Sequence, residues 1–81
     1  MILVDIQVPV LDKVYDFELD EETKVELLIE DILELIAEQE RLTCRNKGDM
    51  YLYALGQERV LEAGKSLKQQ GICAGNRLIL L

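Results

Sequence analysis

Residues 64–81, GKSLKQQGICAGNRLILL, decide the fold of this chain. Gly64, Gly71 and Gly75 interrupt the stretch, and Ser66 is placed to cap a single helical turn over LKQQ. After the last glycine the sequence predicts a turn that leads directly into an apolar strand, RLILL. Four aliphatic residues follow one another in that strand, which raises the question of what lies against them.

The beginning of the chain, residues 2–19, predicts a β-hairpin. Its first run, ILVDIQV, alternates, and one face is predicted to be buried: Ile2, Val4, Ile6 and Val8. A turn at Pro9 and LDK separates it from VYDFEL, which alternates again with Tyr15, Phe17 and Leu19 inward. The two runs therefore offer one apolar side to a common core.

The middle of the chain predicts an amphipathic helix. Thr23 followed by Glu26 has the spacing of a capping box, and acidic residues precede it where a helix dipole favours them. Six apolar residues recur at helical spacing and predict a buried stripe: Val25, Leu28, Ile29, Ile32, Leu35 and Ile36. On the other side the carboxylates Glu26, Glu30, Glu34 and Glu38 follow one another at intervals of four.

After this helix the sequence predicts a loop, TCRNKGD, and then short strands. MYLYAL is a strand, GQE a turn and RVL a second short strand, before the glycine-rich segment and RLILL. The order is β-β-α-β-β-β, with no linker or repeat. We therefore predict a single domain, residues 1–81, of the α+β class, with one helix packed on a mixed five-stranded sheet.

This order and the closing pattern resemble the ubiquitin-like β-grasp. The closing pattern is the most specific part: Gly64, Leu67, Gly71-Ile72 and Gly75-Asn76-Arg77-Leu78. Within that superfamily the chain is similar to the YukD/EsaB-type proteins, small ubiquitin-like proteins of the type VII (WXG-type) secretion systems of Gram-positive bacteria. The similarity is strongest over VLEAGKSLKQQGICAGNRLILL, residues 60–81.

The resemblance implies an explanation for the apolar last strand. In the β-grasp this strand lies in the middle of the sheet, parallel to the first strand, and such a strand can be almost entirely apolar. Leu78 and Leu80 would face the helix alongside Ile2, Val4 and Ile6. Ubiquitin continues into a flexible tail that ends in Gly-Gly, whereas the sequence here stops at Leu81. We therefore expect neither conjugation nor sulfur carriage through the carboxyl end.

Charge and composition narrow the class of function. Residues 1–40 carry 13 acidic and 2 basic side chains, residues 41–81 carry 3 and 7, and the net charge is −7. An acidic chain repels phosphate backbones, so nucleic acid is not an expected partner. No apolar stretch approaches the roughly 20 residues of a membrane helix, and MILVDIQVPV lacks the basic start of a signal peptide. We expect a cytoplasmic protein that does not insert into membranes.

Nothing in the sequence favours catalysis or a cofactor. There is no histidine, and neither metal-ligand spacing nor a pairing of nucleophile and base is found. AGKS at 63–66 resembles the end of a phosphate-binding loop, but position 59 is arginine where that loop needs glycine. Cys44 and Cys73 are expected to be reduced, structural residues. We predict a protein that is not an enzyme and binds no metal or cofactor.

Protein binding is the remaining class, and two surfaces are candidates. Residues on the sheet face away from the helix predict an apolar patch: Leu3, Tyr51, Tyr53, Ile79 and Leu81. The third-strand facing could instead be inverted, with Leu52 outside, and the stems of Arg59 and Arg77 could cover the patch. The second candidate is an acidic docking strip formed by Glu26, Glu30, Glu34 and Glu38, which is otherwise a solvated helix face.

The resemblance implies an accessory or regulatory role in type VII secretion. The expected partner is the cytosolic part of the secretion ATPase or of a membrane core subunit, bound through the patch. The alternative is a self-associating structural module that dimerises through the outer sheet face, and a tailless relative of the sulfur carriers is a third. We expect a monomer or a weak homodimer.

Overall fold

A computed structural model describes residues 1–40 and 50–81 of the chain. In the described residues the strands are β1 (Ile2–Val8), β2 (Lys13–Leu19), β3 (Leu52–Ala54), β4 (Arg59–Val60) and β5 (Arg77–Leu80), and the helix is α1 (Val25–Glu40). Short 3-10 turns lie at Pro9–Leu11 and Lys68–Gln70. The predicted order β-β-α-β-β-β and the hairpin over residues 2–19 are confirmed.

The five strands form one mixed sheet in the order β2-β1-β5-β3-β4. β5 lies in the middle, parallel to β1 and antiparallel to β3. Leu78 and Leu80 are buried on its inner face, as the resemblance to the β-grasp implied. A central strand with a parallel neighbour and a helix over one face can hold consecutive aliphatic residues without exposing all of them. The arrangement is that of the ubiquitin-like β-grasp.

The core lies between the inner face of the sheet and α1. The sheet contributes Val4, Ile6, Val8, Phe17, Leu19, Leu52, Ala54, Leu78 and Leu80, and the helix contributes Val25, Leu28, Ile29, Ile32, Leu33 and Ile36. Leu61, Leu67 and Ile72 close the end beneath the glycine-rich segment. The predicted facing of both hairpin strands is confirmed, with Tyr15 and Ile2 partly buried against this core.

The predicted apolar stripe of α1 is wrong at one position, Leu35. Leu35 is 50% exposed, and Leu33, at 8%, is buried in its place. Successive helix residues lie about 100° apart, so these two leucines stand on opposite edges of a stripe centred near Ile32. The helix presents the Leu33 edge to the core and leaves the Leu35 edge in a groove beside β2.

The predicted capping box at the start of α1 is also wrong. The Thr23 hydroxyl donates to Oδ2 of Asp20 at 3.1 Å, and the Glu26 N–H donates to the carbonyl of Ala63 at 3.1 Å. The Val25 N–H donates to the carbonyl of Lys65 at 2.9 Å. A helix start leaves N–H groups without intrahelical partners, and here a distant loop satisfies two of them.

That same loop contains a capping box of its own. The Gln69 N–H donates to the Ser66 hydroxyl at 3.2 Å, and the Ser66 N–H donates to Oε1 of Gln69 at 3.0 Å. The expected capping role of Ser66 is therefore confirmed. Gly71 and Gly75 follow with φ of 77° and 86°, which side chains rarely adopt, so glycine suits both turns that lead into β5.

Candidate functional site

Hydrophobic side chains form a row across three strands on the sheet face away from α1. Ile79 of β5 lies opposite Tyr53 of β3, and Tyr53 lies opposite Val60 of β4. Residues that oppose each other in adjacent strands share a face of the sheet. Val60 is 46% exposed, and Ile79 and Tyr53 are half-buried. The row offers a surface made of one aromatic and two β-branched side chains.

A second pair extends this row toward the end of the sheet. The Leu81 N–H donates to the carbonyl of Tyr51 at 2.8 Å, and the Tyr51 N–H donates to the carbonyl of Leu81 at 3.0 Å. Their side chains are 52% and 54% exposed. Together these residues make up what we call the outer patch: Tyr51, Tyr53, Val60, Ile79 and Leu81. The facing predicted for the third strand is confirmed, since Leu52 and Ala54 are buried.

Leu3 does not join the outer patch, contrary to the expectation. The parallel register pairs Asp5 with Arg77, and the Gly75 N–H donates to the carbonyl of Leu3 at 2.8 Å. Leu3 is 53% exposed but lies beside Gly75, which has no side chain. The charged row of Asp5 and Arg77 separates it from Ile79. Alternation along β1 predicted the correct face for Leu3 but not its position relative to Ile79.

The two arginines that could have covered the outer patch are bound elsewhere. A guanidinium nitrogen of Arg77 lies 3.8 Å from Oδ2 of Asp5, toward β1. Arg59 donates to Oε1 of Gln57 at 2.7 Å and to the carbonyl of Gln70 at 3.1 Å. The charged ends of both side chains are therefore directed away from the tyrosines.

A carboxyl pair borders the outer patch on the β1–β2 side. Asp16 lies directly opposite Asp5 in the antiparallel register. A side-chain hydrogen bond to Asp5, and the negative charge of that residue, raise the pKa of Asp16 above its ordinary value. Two carboxyls so close favour sharing a proton over both being ionised. The outer face thus carries the outer patch on β3, β4 and β5, and the carboxyl pair of Asp5 and Asp16 on β1 and β2.

All four carboxylates of the predicted acidic strip are exposed on α1. Residues four apart advance about 40° beyond a full turn, so Glu26, Glu30, Glu34 and Glu38 spread across about 120° of the helix surface that faces away from the core. Glu26 and Glu30 border a groove that also contains Met50 and Tyr51. Glu34 and Glu38 border a different groove, between α1 and β2. The two ends of the strip therefore adjoin different grooves.

Sequence reasoning missed Val60 and also Val14, which is 51% exposed on the same face of β2. The alternation of inward and outward side chains along each strand indicates that both valines face outward. Val60 precedes the buried Leu61, and Val14 precedes Tyr15, which was assigned inward. Applying the period of two to every strand residue would have found them.

Two further features bear on chemistry. In residues 1–40 and 50–81, no group of three or more His, Cys, Asp or Glu side chains is arranged to hold a metal ion. Cys73 is exposed, and its N–H donates to Oδ1 of Asn76 at 2.9 Å in the turn before β5. Cys44 lies outside the described residues. Among the described helices, none is long and apolar enough to span a membrane.

Comparisons with known proteins give a family and a fold. The family model for the WXG100 protein secretion system (Wss) protein YukD matches residues 3–80. A search of curated proteins found no significant match. The EccD5 ubiquitin-like domain from Mycobacterium xenopi is similar, with a TM-score of 0.77 at 21% identity, covering 99% of this chain and 91% of that domain.

Two other solved structures share the fold. A chain of the MycP5-free ESX-5 inner membrane complex has a TM-score of 0.80 at 20% identity, covering 99% of this chain and 20% of that chain. The ubiquitin-like domain of an Arabidopsis thaliana protein has a TM-score of 0.74 at 20% identity, covering 99% of this chain and 74% of that chain. At such identities the likeness establishes the ubiquitin-like fold.

Proposed function

The chain belongs to the YukD family of the WXG100 protein secretion system, and from this we propose that it is a ubiquitin-like binding module with an accessory or regulatory role in type VII secretion. It acts by non-covalent contact with another protein of the system. The outer patch is the contact surface. A fold alone does not fix function, so the proposal depends on this surface.

The observation that carries the proposal is the continuity of the outer patch. Tyr53 and Ile79 face each other across adjacent strands, and the exposed pair Tyr51 and Leu81 extends them. Contiguous exposed apolar surface on a small domain marks an interaction site. Tyrosine is enriched in such sites because its ring buries a large area while its hydroxyl stays hydrated.

The proposed partner is the cytosolic part of the secretion ATPase or of a membrane core subunit. A domain of the same fold makes up part of a chain in the ESX-5 inner membrane complex, which supports association of this fold with such machinery. The partner would present an apolar surface to the outer patch and basic side chains to the neighbouring Asp5 and Asp16. With such a partner, the proposed location of the chain is the cytoplasm.

The proposal involves no covalent attachment through Leu81. The N–H and the carbonyl of Leu81 both form hydrogen bonds with Tyr51, and these bonds hold Leu81 in the sheet. Conjugation chemistry needs an extended segment that can enter an enzyme channel, and a residue paired on the sheet cannot do so without leaving it.

A tagged pull-down from the native organism tests the proposal, with wild type compared with Ile79→Lys. We expect wild type to capture subunits of the secretion system and Ile79→Lys to lose them. Val14→Lys is the matched control, because Val14 is exposed on the same sheet face but outside the outer patch. Circular dichroism checks that all three proteins are folded.

Two results would contradict the proposal. If Ile79→Lys captured the same subunits as wild type, the outer patch would not be the contact surface. If wild type sedimented as a stable dimer at micromolar concentration and Ile79→Lys as a monomer, the patch would serve self-association instead.

A further inference from the structure

A groove lies between the first turns of α1 and the segments that precede β3 and follow β4; we call it the Leu27 groove. Its apolar lining comes from three parts of the chain: Leu27, Ile29, Met50, Tyr51, Leu61 and Ala63. Leu27 is 48% exposed, Tyr51 is exposed as well, and Met50 is partly buried. Single exposed apolar residues are common on proteins, but several that line one groove mark a contact surface.

The Leu27 groove is continuous with the outer patch. Tyr51 lines the groove, and it also forms the exposed pair with Leu81 that extends the outer patch. A protein that covers Tyr51 therefore reaches both surfaces. Leu27 is the exposed apolar side chain that α1 adds to this combined surface.

Two carboxylates border the Leu27 groove on α1. Glu26 and Glu30 are both exposed and four residues apart, which is about 6 Å along the helix axis. Among the described residues that line the groove, none is lysine or arginine. The ion pairs formed within residues 1–40 and 50–81 do not involve either carboxylate. The groove thus combines apolar walls with two negative charges that basic side chains of another molecule can neutralise.

The backbone around the Leu27 groove is already engaged in hydrogen bonds. The Glu26 N–H donates to the carbonyl of Ala63, and the Leu61 N–H donates to β3. Tyr51 exchanges two hydrogen bonds with Leu81 through its N–H and its carbonyl. A strand gains affinity by pairing its backbone with free backbone groups, whereas a helix satisfies its own backbone and needs only side-chain contact. The groove therefore suits a helix better than a strand.

We propose that the Leu27 groove binds an amphipathic helix of the same partner that covers the outer patch. The apolar stripe of that helix contacts Leu27, Met50 and Tyr51. Lysine or arginine residues at the edge of the stripe lie beside Glu26 and Glu30. The inference deepens the proposed function and rests on it in one respect, the identity of the partner.

The charges argue against a second copy of this chain as the occupant. Among the described residues, α1 is the one α-helix that a second copy can offer. Its 16 residues, VELLIEDILELIAEQE, include no lysine or arginine. Two such helices side by side would bring like charges together, in a protein whose net charge is −7. A basic helix of another protein gains from the same carboxylates.

Two synthetic helical peptides of about 15 residues test the proposal. Both carry leucine at positions i, i+3, i+4 and i+7, and the residues that flank this stripe are lysine in one peptide and glutamate in the other. Fluorescence anisotropy measures affinity, and circular dichroism measures helix content. We expect the lysine peptide to bind, to gain helix content on binding, and to lose affinity as salt rises. We expect no binding of the glutamate peptide.

Matched leucine variants locate the site. Leu27→Gln should weaken binding of the lysine peptide about tenfold, because it removes apolar contact. Leu35→Gln should leave the affinity unchanged, since Leu35 is an equally exposed leucine of α1, at 50%, in the groove beside β2. Both substitutions are neutral and exposed, so they leave the charge and the core of the protein as they are.

Removal of charge provides a second, independent test. Glu26→Gln with Glu30→Gln should weaken the lysine peptide about fivefold and flatten the salt dependence of its binding. Asp31→Asn with Glu38→Gln is the matched control, because it removes the same net charge from α1 beside the other groove. The control should change the affinity by less than about twofold.

Three results from these measurements would overturn the proposal. The first is no binding of the lysine peptide up to millimolar concentration. The second is equal binding of the two peptides. The third is an equal loss of affinity from Leu27→Gln and Leu35→Gln.

Photo-crosslinking in the native organism tests the identity of the partner. With a photoreactive phenylalanine analogue at Leu27, we expect a crosslink to the same subunit of the secretion system that is captured from Tyr53. A crosslink from Tyr53 but none from Leu27 would overturn this inference and leave the outer patch in place. Absence of a crosslink from Tyr53 would instead contradict the proposed function, and the peptide measurements would still decide whether the groove binds a basic helix.

Discussion

Ile79 of β5 lies directly opposite Tyr53 of β3, and both side chains stand on the sheet face away from α1. This pair lies in the middle of the outer patch, with Val60 beyond Tyr53 and the exposed pair Tyr51 and Leu81 beside it. The register of one short strand against the central strand thus produces the apolar surface. The residues beneath it, Leu52 and Leu80, form another cross-strand pair and are buried in the core.

The rotation of α1 can be tested with two leucines two positions apart. Leu33→Ala should lower the free energy of unfolding by about 2–4 kcal/mol, because it opens a cavity in the core. Leu35→Ala should lower it by at most about 1 kcal/mol, because that side chain is half exposed. Urea unfolding at neutral pH measures both. Equal losses would mean that the helix is rotated differently.

The buried amide of Gln70 should contribute measurably to stability. Its Oε1 accepts from the Glu62 N–H at 2.7 Å, and its Nε2 donates to the carbonyls of Glu62 at 3.0 Å and Ser66 at 3.3 Å. Gln70→Leu leaves the buried Ser66 carbonyl and the part-buried backbone groups of Glu62 without this partner, and should cost about 1–3 kcal/mol. Gln39→Leu, at an exposed position of α1, is the control and should change stability by less than about 0.5 kcal/mol. If chemical denaturation showed the same free energy of unfolding for Gln70→Leu as for wild type, this expectation would be contradicted.

The carboxyl pair should make stability depend on pH in a defined direction. Proximity to Asp5 raises the pKa of Asp16 above its ordinary 3.8. The folded state then holds that proton more tightly than the unfolded state, so it loses stability as pH rises from 3.8 through the raised value. The stabilising contribution of the Asp16 proton is fully present well below pH 3.8 and is fully lost at neutral pH.

Asp16→Asn should therefore raise the thermal midpoint at neutral pH, with the gain disappearing in acid. Glu18→Gln removes an equal charge opposite Leu3 instead of opposite a carboxyl, and corrects for the general effect of a less acidic protein. Thermal unfolding as a function of pH measures both variants. If the two had the same pH profile, the pairing of Asp16 with Asp5 would have no energetic consequence.

Much of the fold could be predicted from the sequence because its signals are local and periodic. Alternation predicted the facing of the hairpin, the resemblance to the β-grasp implied that of Leu78 and Leu80, and the glycines predicted the turns before β5. The prediction of a capping box at Thr23 was wrong because the Glu26 N–H donates to the carbonyl of Ala63, and no local sequence pattern reveals that contact. Leu35 was misplaced because helical spacing defines a stripe but not the direction in which its edges face.

The candidate site was predicted in part for a similar reason. Alternation with the core residues assigned Ile79 and Leu81 to the correct face, and the tolerance of tyrosine for a half-hydrated site did so for Tyr51 and Tyr53. The register between strands decides which residues on that face are neighbours, and it separated Leu3 from the rest through the row of Asp5 and Arg77. Register depends on pairing between distant segments, so parity alone could not supply it.

Photo-crosslinking in the native organism tests the outer patch most directly. A photoreactive phenylalanine analogue replaces Tyr53 in one strain, Val14 in a second and Leu35 in a third. Our account predicts that position 53 crosslinks to a subunit of the secretion system, and that position 14, exposed on the same sheet face but outside the outer patch, does not. Crosslinks to such a subunit from position 14 or 35 but none from position 53 would contradict the outer patch as the surface through which this protein acts.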